Sequence, residues 1–156
     1  MNVTLILGLV GGVLVSSFVI ASWAAGAAKK AHAREWLAFA EEGVVLDSGK
    51  RVGLRARLRD FRAGGGYTGA GVRIGVGRVV LTRRRLVTWP MGRNRSGLAS
   101  FERDALARCT VGVVEGKLVL TTDAPPIGTG HAELTFAVAE PETWRDRLAE
   151  MGARPV

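Results

Sequence analysis

The sequence predicts a mainly β chain on a membrane anchor: an N-terminal transmembrane helix, then a small antiparallel barrel of about seven strands with a C-terminal capping helix. Three observations carry this. No side chain from Asn2 to Ala28 is ionisable. Beyond Gly43 the apolar residues recur with a period of two, the period of a half-buried strand. The final apolar stripe then returns to helical spacing. On this reading the chain divides into an anchor over 1–28, a juxtamembrane helix over 29–42 and a β domain over 43–156. A domain of about 115 residues is large enough for one core and too small for two.

A bilayer core of about 30 Å takes about 20 apolar residues in helical form, and the run containing Val3 to Ile20 supplies them with Trp23 near its interfacial end. Lys29, Lys30 and Arg34 follow the span directly, and no Lys or Arg precedes them. By the positive-inside rule the N-terminus is outside and the domain cytoplasmic. The missing basic n-region argues against a secretory leader. Ala25-Gly26-Ala27 nevertheless resembles a cleavage site. It supports the alternative of an exported envelope domain, a small enzyme or cell-wall binder, with a cleaved signal peptide. Gly8 and Gly12 form one small-xxx-small pair, through which two spans can pack into an oligomer. Cys109 is the only cysteine, so no intrachain disulfide forms, in keeping with a reducing compartment.

Lys29 to Glu42 contains good helix formers, with Trp36, Leu37 and Ala40 as its apolar positions. In Arg51–Arg59 the residues Val52, Leu54, Ala56 and Leu58 share one face, and Arg51, Arg55, Arg57 and Arg59 the other. A loop around Gly64 to Gly66 leads to a second strand from Val72 to Leu81, then a turn at Thr82-Arg83-Arg84 and a strand over Leu86 to Trp89. Pro90 to Gly97 is a loop, and Phe101 to Ala107 is either one helical turn or an irregular strand entry. Cys109–Val114 and Lys117–Thr121 make a hairpin across Glu115-Gly116. The last strand, His131–Ala139, places Ala132, Leu134, Phe136 and Val138 on one face. Pro141 opens the terminal helix, Trp144, Leu148 and Met151 form its stripe, and Gly152 stops it.

Several strands followed by one amphipathic helix is the order of the pleckstrin-homology (PH) superfold. Within it, Arg78–Trp89 (RVVLTRRRLVTW) resembles bacterial PH-like and GRAM-like domains, where a strand ending in Leu-Thr turns into one beginning with Arg-Leu. The Glu115–Leu120 hairpin (EGKLVL) and the strand-Pro-x-x-Trp helix are similar to their later elements. The resemblance covers most of Gly43–Gly152 and implies a PH-like barrel used for binding rather than catalysis. Members that bind phosphoinositides carry several basic residues in the first loop. Here that loop is Gly64 to Gly66, with Arg62 and Arg73 only near its ends, so specific inositide recognition is not expected.

Catalytic patterns are sparse. His32 and His131 lack companions at metal-ligand or triad spacing, Cys109 sits in an apolar strand, and the carboxylates are scattered. Neither Gly75-Val76-Gly77 nor the Gly64 triplet opens a helix, as a phosphate loop does. The chain is therefore read as a non-enzyme with no cofactor or metal.

The net charge of +8, from 18 Arg and 4 Lys, points to an anionic partner, although a general Ala/Gly/Val/Arg richness is the plain alternative source of the arginine. The candidate binding residues are Arg83, Arg84 and Arg85 at a turn and Arg93 and Arg95 in a loop. The Arg55/Arg57/Arg59 strand face is read as solvated surface. The expected function is a membrane-tethered, non-catalytic module engaging anionic lipid headgroups or a membrane-associated protein. The anchor and the lack of interleaved aromatics disfavour nucleic acid.

Overall fold

The computed structural model describes residues 37–63, 68–89, 100–126 and 128–156. The anchor expected over 1–28, with Gly8 and Gly12, lies outside the described residues, as do positions 29–36 of the juxtamembrane stretch. No helix among the described residues is long and apolar enough to cross a membrane. Residues 37–42 are helical, as expected, but the apolar face differs: Leu37 and Ala40 are exposed and Phe39 is buried. Leu37 and Phe39 stand about 200° apart on a helix of 3.6 residues per turn, so burying one turns the other outward.

Glu42–Val156 form one compact unit. Its strands are β1 (Val44–Asp47), β2 (Val52–Ala63), β3 (Thr68–Thr82), β4 (Arg85–Trp89), β5 (Ser100–Glu102), β6 (Cys109–Val114), β7 (Lys117–Thr122), β8 (Gly128–Phe136) and β9 (Arg154–Pro155). Its helices are α1 (Arg103–Leu106) and α2 (Pro141–Glu150). The main path runs β5-β4-β3-β2-β8-β7-β6-β9. It is a four-strand meander, β2 to β5, joined to a three-strand meander, β6 to β8, where β8 returns antiparallel to β2. Six of those seven are strands the sequence predicts, and the seventh, β5, falls where it leaves a helical turn or an irregular strand entry open. Two short additions were not foreseen: β1 pairs with β3, and β9 lies parallel to β6.

The expected barrel is an open, curled half-barrel. Among the described residues, three-residue β5 pairs only with β4 before the chain enters α1, while β9 occupies the other edge of β6, so no pairing among them closes the sheet. The Phe101–Ala107 segment thus realises both alternatives, a short strand and then one helical turn.

Alternation puts Leu54, Ala56 and Leu58 inside and Arg55, Arg57 and Arg59 outside, as expected. The core joins both meanders: Val79, Leu81 and Phe101 pack in one cluster with Val111, Leu120 and Phe136. Trp144 and Leu148 of α2 enter the same cluster, with Met151 against its margin. Pro141 opens α2 and Gly152, at φ 111°, ends it. The N–H of Ala153 donates to the Leu148 carbonyl at 3.0 Å and that of Gly152 to Ala149 at 2.9 Å, a Schellman pair. Glu115 and Gly116, at φ 50° and 67°, supply the two positive dihedrals that a type I′ hairpin turn requires.

Two buried hydroxyls, those of Thr88 and Ser100, are left unsatisfied among the described residues. The Thr88 hydroxyl on β4 is buried and has no hydrogen-bond partner among the described residues. An unpaired buried hydroxyl costs on the order of 1–3 kcal/mol. The isosteric Thr88→Val is therefore expected to raise stability by about 1 kcal/mol in urea unfolding.

Candidate functional site: the basic outer face

Arg83 and Arg84 are exposed at the β3–β4 turn. Arg85 beside them is engaged within the fold: its Nε donates to Glu42 Oε2 at 3.1 Å and its Nη2 to Glu42 Oε1 at 2.5 Å. Glu102 lies 3.8 Å from it. Thr82 completes the turn, its hydroxyl donating to Glu42 and accepting the Arg84 and Arg85 N–H groups. Arg93 and Arg95 lie outside the described residues, as does His32. The three-arginine turn therefore presents two exposed side chains and one structural one.

The other chemistry-bearing residues are also accounted for by packing. Burial pushes the Cys109 thiol above its ordinary pKa, and its Sγ donates to the Ala105 carbonyl at 3.2 Å, so it is an inert core thiol. His131 Nδ1 sits 2.6 Å from Asp123 Oδ1 at the surface. Among the described residues no group of three or more His, Cys, Asp or Glu could hold a metal ion.

A different basic surface is assembled by strand register. Residues paired across antiparallel strands share a face. Across β3, β2, β8 and β7 one outer row reads Ile74, Arg55, Thr135, Val119, and the next reads Val72, Arg57, Glu133, Thr121. Arg59 pairs with His131 one step further on. In the other direction Gly53 lies opposite Val76 and accepts the Ala137 N–H at 3.0 Å. The arginine row of β2 therefore lies between an aliphatic row on β3 and a polar row on β8.

No family model, no curated protein and no solved structure matches this chain. Its own geometry carries the functional argument.

Gly53 and Ala137 leave a shallow groove of about 520 Å³ in this face. A Cβ placed on Gly53 would meet only the Ala137 Cβ, at 3.8 Å, so the floor is low because both residues are small. Arg55, Arg57 and Lys117 line it as cations, and Glu115 and Glu133 as anions. Glu133 lies 3.7 Å from Arg57, whereas Arg55 and Lys117 have no carboxylate partner among the described residues. Ile74 and Val114 supply aliphatic walls. Cations beside a small-residue floor can hold an anion.

The Arg55/Arg57/Arg59 row was visible in the sequence as a strand face. What its reading missed was Lys117 and the aliphatic row, which reach the same surface only through the pairing of β2 with β3 and of β8 with β7.

Proposed function

We propose that the chain is a non-catalytic, membrane-tethered binding module of PH-like architecture whose outer β2 face holds an anionic partner. The observation that carries this reading is the exposed Arg55, Arg57 and Arg59 row, with Lys117 across a groove from Arg55. The four-plus-three meander with α2 packed in its core supports the PH-like comparison. The apolar run from Asn2 to Ala28 and the cluster Lys29, Lys30 and Arg34 support a tether with the domain on the cytoplasmic side.

The reading is tested by titrating the detergent-solubilised full chain with a short polyglutamate peptide and, separately, with phosphatidylglycerol micelles. Arg55→Ala combined with Lys117→Ala is expected to weaken at least one of these interactions by roughly tenfold or more, since each nearby basic residue contributes about 1 kcal/mol. Arg83→Ala with Arg84→Ala is expected to have the smaller effect. Indifference of both probes to the groove variant would sink the reading. For the tether, a mature N-terminus near Ala28 would instead establish the exported alternative.

A further inference from the structure

The face that carries the arginines also exposes hydrocarbon that anion binding alone leaves unexplained. Val72, Ile74 and Val76 are 51%, 81% and 59% exposed along the outer side of β3, and Val114 is 58% exposed on the groove wall. An outward sheet face in water ordinarily carries polar side chains. The neighbouring β8 row does, with Thr135 and Glu133. The aliphatic row sits one strand spacing, about 5 Å, from the arginine row. Two of its residues pair directly with that row, Ile74 against Arg55 and Val72 against Arg57.

An acidic peptide would meet the cations and leave this hydrocarbon in water. An apolar protein surface would cover the hydrocarbon but desolvate the arginines. A partner with negative charge and hydrocarbon in adjoining layers satisfies both rows at once. Resting on the binding reading above, we infer that this face docks on an anionic phospholipid bilayer. A headgroup phosphate lies in the Gly53/Ala137 groove between Arg55 and Lys117, and Ile74, flanked by Val72 and Val76, reaches the acyl boundary. The guanidinium fork of Arg55 matches two phosphate oxygens, and Lys117 adds a point charge. Glu133 takes up part of the charge of Arg57, and Glu115 stands near Lys117 on the groove lining, so Arg55 anchors the cationic side. A tether keeps the face at high effective concentration beside the bilayer, so weak intrinsic affinity suffices for docking.

The test uses the full chain in proteoliposomes, with Ile74→Cys carrying an environment-sensitive fluorophore; the native Cys109 is buried. In phosphatidylcholine vesicles containing phosphatidylglycerol, the label is expected to shift to the blue and to be quenched by bromine on the acyl chains. In phosphatidylcholine alone it stays as in water. Adding Arg55→Ala and Lys117→Ala should lower the docked-to-undocked ratio about thirty-fold, from roughly a five-fold contribution per basic residue. Circular dichroism on the same samples reports whether each variant is folded.

A label that remains in water on anionic vesicles overturns the lipid inference. If polyglutamate binding still depends on Arg55 and Lys117, the binding reading survives with an acidic protein partner; if that is lost too, both fall. Equal quenching in neutral and anionic vesicles removes the role of charge and overturns the inference. So does label self-quenching that rises with protein density and ignores lipid charge, which would make the aliphatic row a contact between two copies of the chain.

Discussion

Gly130→Ala is expected to destabilise the domain by about 4 kcal/mol, through backbone strain and overpacking together. β2 keeps register with β3 and β8 as far as Leu58 and Arg59, and the register slips before Phe61. Asp60 sits in the slip at φ 50°, an uncommon conformation for a residue with a side chain. Gly130, at φ 105°, faces it from β8. A Cβ on Gly130 would lie 2.3 Å from the Asp60 carbonyl oxygen and 2.9 Å from the Phe61 Cα. Both obstacles are backbone, which has nowhere to swing.

The bulge also has a purpose in the packing. Unbroken alternation after Leu58 would point Asp60 at the core. With the extra residue Asp60 stays outside and Phe61 is buried with Leu58 and Ala132. Gly116→Ala is the control. It also has a positive φ, 67°, but a Cβ there meets nothing within 4 Å. Its expected cost is only about 1 kcal/mol. Urea unfolding of the two variants separates the clash from the dihedral, and equal losses would refute the steric account.

What the sequence made legible follows from where the determining interactions lie. The β2 alternation, the Glu115-Gly116 turn and the Pro141-to-Gly152 helix are set by residues close together in the chain, and each was read from its own segment. β1 and β9 were not, because strands of four and two residues carry too short a pattern and are held by partners far away in sequence. The bulge at Asp60 has no glycine or proline of its own; its enabling glycine is on another strand.

The candidate site divides in the same way. Adjacency in the chain singles out Arg83, Arg84 and Arg85, but the carboxylate that engages Arg85 is 43 residues earlier, and no local pattern reveals it. The Val72-x-Ile74-x-Val76 alternation is legible as a strand, yet its complement of Gly71, Arg73, Gly75 and Gly77 offers no apolar row to mark the core side. Only pairing with the β2 arginines decides that.

Arg85→Ala is expected to cost about 2–3 kcal/mol at neutral pH, somewhat less than a fully buried pair because both partners retain some exposure. Glu42 would keep a single side-chain donor, the Thr82 hydroxyl at 2.9 Å. Arg85→Lys is expected to recover only part of the loss, since an ammonium does not reproduce the two parallel bonds of the guanidinium.

The pH dependence identifies the cause. Burial works against ionisation of Glu42, but hydrogen bonds from Arg85 and Thr82 and the charges of Arg85 and Arg84 outweigh it, holding its pKa below the ordinary 4.5. Asp47 is similar: burial opposes its ionisation, but hydrogen bonds from Arg78 and the Gly49 N–H and the Arg78 charge hold it below 3.8. A carboxyl whose pKa is depressed on folding contributes stability above its unfolded pKa and loses that contribution as pH falls through the folded value. The native chain should therefore lose stability as acid is added below about pH 4.5, with Glu42 and Asp47 both contributing to the loss. In Arg85→Ala the main opposing hydrogen bond and charge are gone, so burial governs Glu42 and its folded pKa moves upward. Protonation then relieves the variant while it costs the native chain. The stability gap between the two should be widest at neutral pH and close as pH drops through the carboxylate range. Urea midpoints measured across that range check this. A gap independent of pH would mean that Arg85 contributes through the packing of its stem rather than through its charge.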